Sequence, residues 1–130
     1  MSEVVLDSSA VLAHIFDEPG AIFVEEVLPG ALLCSVNLAE VVAKLHDRGF
    51  SDDEIKCALE TVDFDVVDFD RELALISGEL RGETRHLGLS LGDRACLAVA
   101  RQRDIVAFTT DAAWARAPAV KVRLLRDASA

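Results

Sequence analysis

Short runs rich in β-branched residues alternate along the chain with segments that have the apolar spacing of helices. The runs predicted to be strands are residues 4–6, 31–34, 62–69, 105–109 and 120–125. Capping and turn residues mark the helices between them, such as Ser51-Asp52-Asp53-Glu54 and Gly49. Parallel strands need long crossover connections, which helices supply. The sequence therefore predicts an α/β fold in which a mainly parallel, five-stranded sheet is covered on both faces.

Four acidic residues interrupt apolar runs in this pattern. Asp7 and Asp111 follow the first and fourth predicted strands, whereas Glu40 and Asp93 lie in the first turns of predicted helices. The carboxyl ends of parallel strands share one edge of the sheet, where ligands gather. A carboxylate among apolar neighbours must be paired, protonated or bound to a metal. We therefore expect the four residues to converge on a site for a hard divalent cation.

Three of these acids also have a local interpretation as parts of helix caps. Cap patterns occur at Asn37-x-x-Glu40, at Ser90-x-x-Asp93 and at Asp111. Apolar residues flank Glu40, whereas Glu54 belongs to a cap in a polar turn. Capping and ion binding are compatible, and the shared sheet edge favours one metal site over unrelated caps.

The composition indicates one domain, residues 1–130, without a membrane span. The longest apolar runs are far shorter than the roughly 20 residues that a membrane helix requires. The start, Met1-Ser2-Glu3-Val4, lacks the basic region of a secretory signal, so we expect a cytoplasmic protein. Cys34, Cys57 and Cys96 are widely spaced, which favours reduced thiols over disulfides or a zinc site.

The charge of the chain is unevenly distributed. Residues 1–80 carry a net charge of −14 and residues 81–130 carry +4, within a total of −10. This asymmetry is compatible with a basic strip that meets phosphate beside an acidic cation site, although solvated surface is the better explanation of most single charges. The sequence has no glycine-rich phosphate loop and no Gly-x-Ser-x-Gly motif, which excludes the commonest nucleotide and acyl-transfer sites.

Four segments carry the acidic residues, namely VLDSSAVLA (5–13), VNLAEV (36–41), LSLGDRACLA (89–98) and TTD (109–111). In this order and spacing they resemble the PIN-domain ribonucleases, and most closely the VapC-type toxins of bacterial toxin–antitoxin pairs. Residues 122–126 are similar to the last strand of that family. The resemblance implies a PIN-like three-layer α/β/α fold and an endoribonuclease that uses Mg²⁺ or Mn²⁺ to cleave RNA.

The resemblance also assigns roles to the acidic residues. Asp7 and Asp93 would be direct metal ligands, Glu40 a further ligand or the residue that positions the water, and Asp111 part of a second, weaker ion site. Polar support would come from two neighbours of these residues, Ser8 and Thr110. Many relatives have a basic residue where this chain has Ala112, so RNA contact is less expected there.

Further contacts with RNA would come from basic residues, for which surface charge is an equal alternative. The candidates are Arg81, Arg85, Arg94, Lys121 and Arg123. The resemblance also implies a homodimer and a cognate antitoxin whose C-terminal segment covers the site, often with a basic residue among the carboxylates. The acidic excess of the first eighty residues suits such a partner.

Two other functions fit an α/β sheet with acidic residues at its edge. A receiver-like phospho-acceptor domain would need paired carboxylates after the first strand, where this chain has Asp7-Ser8. A non-catalytic module with a PIN fold would not need the complete set of four carboxylates. Labelling by a small phosphodonor would identify a receiver, and Mn²⁺ calorimetry would identify a non-catalytic module.

Overall fold

The computed structural model describes residues 3–117 and 120–125. Within them the strands are β1 Val4–Leu6, β2 Ala31–Cys34, β3 Phe64–Val67, β4 Val106–Thr109 and β5 Val122–Leu124. The α-helices are α1 Ser8–Ile15, α2 Ala21–Val27, α3 Ser35–Asp47, α4 Asp52–Glu60, α5 Arg71–Thr84 and α6 Leu91–Arg103. Two 3₁₀ helices cover Arg85–Leu87 and Ala112–Arg116. The predicted alternation of strands and helices is confirmed.

All five strands run parallel, in the order β3-β2-β1-β4-β5. Val5 at the centre of β1 pairs with Leu32 of β2 on one side and with Ala107 of β4 on the other. The chain leaves β1 toward β2 but later returns to the opposite side of β1 to form β4. In parallel sheets, ligands bind at such a switch point, outside the carboxyl ends of the strands. The fold therefore directs attention to the ends of β1 and β4.

Alternate residues of the strands enter two different cores. Val5, Leu32 and Ala107 pack in one cluster with residues of α5 and α6. Leu6 and Phe108 pack on the other face with residues of α1, α2, α3 and α4. This alternation is expected for strands whose successive side chains point to opposite faces. The predicted three-layer α/β/α arrangement is thus confirmed.

The third strand is shorter than predicted. It was expected over residues 62–69 but covers Phe64–Val67. At one end, the Val62 amide donates to the Leu59 carbonyl in a turn that follows α4. At the other, the Phe69 amide donates to the Ser35 hydroxyl at 2.9 Å, so it is not available for pairing between strands. The fifth strand is also shorter, and Arg126, expected in its motif, lies outside the described residues.

None of the helices formed by residues 3–117 and 120–125 combines the length and the apolar composition that a membrane-spanning helix needs.

Candidate metal centre

Asp7 lies at the carboxyl end of the central strand β1 and is the N-cap of α1. The Asp7 carboxylate accepts the Ala10 amide hydrogen bond at 2.8 Å. The same oxygen accepts from the Ser9 hydroxyl at 2.7 Å, and the second oxygen accepts from the Thr109 hydroxyl at 2.6 Å. Asp7 is therefore held in one orientation, with only 4% of its surface exposed.

Burial raises the pKa of Asp7 from 3.8 to about 6. Hydrogen bonds from Thr109, Ser9 and Ala10 lower it, but they do not offset the loss of hydration. Repulsion from Asp93 raises it slightly further. A carboxylate in this state gains from a nearby cation, because the cation favours its charged form. The environment of Asp7 is therefore compatible with cation binding as well as with its role as the N-cap of α1.

Thr109, the last residue of β4, connects the Asp7 carboxylate to the backbone of Asp111. Its hydroxyl donates to Asp7 and accepts the Asp111 amide at 3.0 Å. Ser9 lies beside it, and the Ser9 hydroxyl accepts the Thr110 amide at 3.0 Å. Among the described residues, the side-chain support of Asp7 thus comes from Ser9 and Thr109 instead of from the predicted pair. The sequence signal for Thr109 was its position as the polar residue at the end of the otherwise apolar strand β4.

Ser8 and Thr110, the predicted support residues, have other positions. Ser8 is the first residue of α1, and Thr110 contributes its backbone amide to the Ser9 hydroxyl. Thr109 ends strand β4, where successive side chains point to opposite faces. Ser8 and Ser9 lie in the first turn of α1, where successive side chains differ in direction by about 100°. A shift of one position therefore moves a side chain away from the site.

Asp93 lies in the first turn of α6, as predicted. It forms a capping box with Ser90, with hydrogen bonds of 2.9 and 3.1 Å. Burial raises its pKa, the Ser90 hydrogen bonds lower it, and repulsion from Asp111 and Glu40 raises it again. Asp93 also raises the pKa of Asp7. Repulsion thus relates Asp93 to each of the other three carboxylates.

Glu40 lies in the second turn of α3, not in the first as predicted, because the helix begins at Ser35. Cys34 is the N-cap and no side chain caps the helix, so the capping-box interpretation of Asn37 is wrong. The Asn37 amide instead donates to Glu40 Oε1 at 2.9 Å.

Asp111 is the N-cap of the 3₁₀ helix Ala112–Arg116, and its Oδ1 accepts the Ala113 amide at 2.9 Å. It is exposed, unlike Asp7. The cap interpretation is therefore confirmed for Asp111, and its position after β4 keeps it beside the other acids.

The donor set suits a hard cation that keeps part of its water shell. Within the described residues, no three Asp, Glu, His or Cys side chains are close enough to hold one ion together. Mg²⁺ is usually bound through one or two carboxylates, with water and substrate phosphates in the other positions. An all-oxygen cluster of interacting, partly buried acids fits Mg²⁺ or Mn²⁺ better than it fits zinc.

Two of the predicted RNA-binding arginines are engaged within the protein. The Arg94 guanidinium donates to the Ser77 carbonyl of α5 at 3.0 Å. The Arg123 guanidinium lies 4.6 Å from the centre of the Phe23 ring, which is a cation–π distance. Both arginines therefore have structural roles that do not require RNA.

The other basic candidates differ in their place relative to the site. Lys121 precedes β5 and forms an ion pair with Asp104 at 3.2 Å, at the edge of the sheet opposite the carboxylates. Arg81 and Arg85 are exposed. Arg85 begins a 3₁₀ helix that packs beside Ala112–Arg116, directly after Asp111. Arg85 is thus the predicted basic residue whose segment adjoins the site.

We expect Thr109→Val to weaken the site while preserving the volume of the side chain. The variant removes the hydroxyl that lowers the pKa of Asp7 and leaves the Asp111 amide without its partner. The free energy of unfolding should fall by about 1–3 kcal/mol. The affinity for Mn²⁺ should fall by about tenfold, because partners of ligands commonly have effects of this size. Urea denaturation and calorimetry measure the two quantities.

Thr84→Val is the matched control, because Thr84 is equally buried and its hydroxyl donates to the Leu80 carbonyl within α5. It should leave the Mn²⁺ affinity unchanged. Equal losses of affinity in the two variants would contradict the role of Thr109.

Comparison with known proteins supports the fold. The structure of VapBC2 from Rickettsia felis bound to a promoter DNA fragment contains a chain that superposes on this one with a TM-score of 0.76. The sequence identity is 18%, and the match covers 94% of this chain and 98% of that chain. A chain of DNA-bound VapBC from Salmonella typhimurium gives a TM-score of 0.72 at 21% identity. This match covers 96% of this chain and 99% of that chain. A chain of VapBC-5 from Mycobacterium tuberculosis gives a TM-score of 0.64 at 23% identity. This match covers 97% of this chain and 99% of that chain. At these identities the likeness establishes the fold alone.

No curated protein matches the sequence. Residues 4–120, however, match the family described as the PIN domain. This match covers most of the chain and includes all four carboxylates of the candidate metal centre. The chain therefore belongs to the PIN domain family.

Proposed function

We propose that the chain is a metal-dependent endoribonuclease and the toxin of a VapBC-type toxin–antitoxin pair. The observation that carries this proposal is the placement of Asp7 and Asp111 directly after β1 and β4 of a PIN-domain sheet, with Asp93 in the first turn of α6. Repulsion from Asp93 also raises the pKa of Asp7. The motif segments direct the proposal to RNA, because they resemble the PIN-domain ribonucleases. Support for the toxin assignment comes from the fold shared with chains of VapBC complexes.

In this proposal the four carboxylates have different roles in binding Mg²⁺ or Mn²⁺ and in orienting water. Asp7 and Asp93 are the direct ligands, because burial has already removed much of their hydration. Glu40 is a further ligand or orients the attacking water, and Asp111 completes a second, weaker ion site. A bound divalent cation activates water and offsets the charge of the attacked phosphate. Thr109 and Ser9 keep the Asp7 carboxylate oriented throughout.

The substrate would approach the edge of the sheet at which the strands end. Arg85 and Arg81 are the basic residues that we propose for phosphate contact, because both are exposed and the segment of Arg85 adjoins Ala112–Arg116. Arg94 and Arg123 would contribute to RNA binding only if they left their present contacts. Lys121, at the opposite edge, is removed from this part of the proposal.

The proposed partner is a cognate antitoxin with a basic segment that covers the carboxylates. Structural neighbours of this chain come from VapBC toxin–antitoxin systems, and the acidic site of this chain suits a basic segment. A homodimer and a cytoplasmic location remain parts of the same proposal. Co-expression with the product of the adjoining reading frame tests the partner: a stable complex that blocks RNA cleavage is expected.

Removal of divalent cations is expected to abolish RNA cleavage. The purified protein would be incubated with total RNA in Mg²⁺, in Mn²⁺ and in EDTA, and the new RNA ends would be sequenced. Discrete internal cleavage with either ion, and none in EDTA, is the expected result, because the carboxylates alone cannot offset phosphate charge. Full cleavage in EDTA would contradict the proposal. Cation binding without cleavage of any RNA would favour the non-catalytic module.

The receiver-like alternative loses its support in the structure. Receiver domains have the strand order 2-1-3-4-5, whereas this sheet has the order β3-β2-β1-β4-β5. Asp7 is also followed by Ser8, without a second carboxylate beside it. A phospho-acceptor function is therefore not proposed.

A further inference from the structure

A buried amide side chain connects two helices at the edge of the candidate metal centre. Asn37 of α3 is 1% exposed. Its Nδ2 donates to Glu40 Oε1 at 2.9 Å and to the Gly92 carbonyl of α6 at 3.0 Å. Asn37 Nδ2 thus binds both the Glu40 carboxylate and the backbone carbonyl of Gly92, the residue before Asp93. The position of Glu40 relative to Asp93 depends on this bridge.

The absence of a side chain at Gly92 completes the arrangement. The Glu40 carboxylate lies against the Gly92 Cα so closely that a Cβ at this position would overlap all three of its terminal atoms. Gly82 of α5, by contrast, faces open space. Gly92 has ordinary helical backbone geometry, so its role is to leave room for Glu40. A larger residue would push the carboxylate away from Asp93.

The bridge is needed because the two carboxylates come from different layers of the fold. The buried side chains of α3 pack on one face of the sheet, with Val41 and Leu45, and those of α6 pack on the other. No strand pairing joins Glu40 and Asp93. The two helices contact each other directly, and a hydrogen bond that spans 55 residues of sequence joins them beside the two carboxylates.

An amide is well suited to this position. Its N–H groups can hold a carboxylate without adding a positive charge that would compete with a cation, as lysine or arginine would. Asn37 Oδ1 is buried without a hydrogen-bond partner among the described residues. An apolar side chain would avoid that unfavourable state, so packing alone does not account for asparagine here.

We propose that Asn37 is a positioning residue that, with the room left at Gly92, fixes the Glu40 carboxylate beside Asp93 for binding of a divalent cation. This inference rests on the proposed function, because it concerns the same metal centre. It assigns Asn37 no contact with substrate or ion. The effect of Asn37 should therefore pass entirely through Glu40.

A double-mutant cycle on Mn²⁺ affinity tests the inference. The affinities of wild type, Asn37→Leu, Glu40→Ala and the double variant would be measured by calorimetry, with circular dichroism as a check of folding. Asn37→Leu keeps a similar volume and is expected to weaken binding by about tenfold. In the Glu40→Ala background, the same change should alter the affinity by less than about twofold, because the residues act as one unit.

Gly92→Ala gives a second measurement that leaves Asn37 intact. It should weaken Mn²⁺ binding by an amount similar to that for Asn37→Leu, whereas Gly82→Ala, its matched control, should not change the affinity. These variants also cover the case in which Asn37→Leu does not fold.

The outcomes separate this inference from the proposed function. Wild-type affinity in both Asn37→Leu and Gly92→Ala would overturn the inference, as would an equal loss with and without Glu40. If binding still depended on Asp93, the metal centre would stand. A wild-type protein that binds no Mn²⁺ would overturn both.

Discussion

Replacement of Asp93 by asparagine should abolish metal-dependent RNA cleavage while the protein remains folded. Asp93 is the carboxylate whose charge interacts with the other three, so its loss removes the centre of the cation site. We expect the rate to fall by at least about 100-fold, since electrostatic stabilisation of a reacting phosphate has effects of this order. The asparagine oxygen can still accept the Ser90 amide, so the helix cap is retained. Cleavage of a defined RNA and the melting temperature measure the two expectations.

Glu54→Gln is the matched control for this variant. Glu54 occupies the same position in the capping box of Ser51, but on the exposed helix α4. It should leave RNA cleavage unchanged, because α4 takes no part in the proposed site. Wild-type cleavage by the Asp93 variant would refute the metal centre, and equal losses in both variants would attribute the effect to capping.

Asp7→Asn should stabilise the metal-free protein at neutral pH although it removes activity. Burial raises the pKa of Asp7 from its ordinary value of 3.8 to about 6. Its favourable contribution is therefore complete below about pH 4 and is lost as the pH rises through about 6, because the unfolded state ionises first. The variant should exceed wild type by up to about 3 kcal/mol above pH 6 and match it below about pH 4.

Urea denaturation in EDTA across this pH range measures the effect. Asp70→Asn is the control, because Asp70 is also an N-cap aspartate but is exposed. Saturating Mn²⁺ should reverse the order of stability, because only wild type retains the ligand. A difference between the Asp7 variant and wild type that does not change with pH would contradict the raised pKa.

Most of the secondary structure could be predicted because its signals are local. The β2 strand and the capping boxes at Ser51 and Ser90 were predicted at the positions observed. The ends of β3 were not, because a side-chain hydrogen bond from the Phe69 amide to Ser35 replaces strand pairing. That partner lies 34 residues away in sequence, beyond the reach of any periodicity.

The acidic members of the candidate site were also accessible from the sequence. Asp7 and Asp111 follow strands whose carboxyl ends must meet at one edge, and a carboxylate within an apolar run already indicates an unusual environment. The polar residues that orient them were placed less well. The choice of Ser8 instead of Ser9 shows that the start of helix α1 must be known to within one residue to tell which side chain faces the site.

The sequence by itself identified the four carboxylates of the candidate site, because parallel strands and helix caps follow from residue patterns within a few positions. Only the tertiary structure decided how they are held. The Thr109 hydroxyl reaches Asp7 across 102 residues, and Asn37 reaches Gly92 across 55. Such contacts depend on register and on the distance between layers, which are fixed by packing of the whole chain and have no local signal.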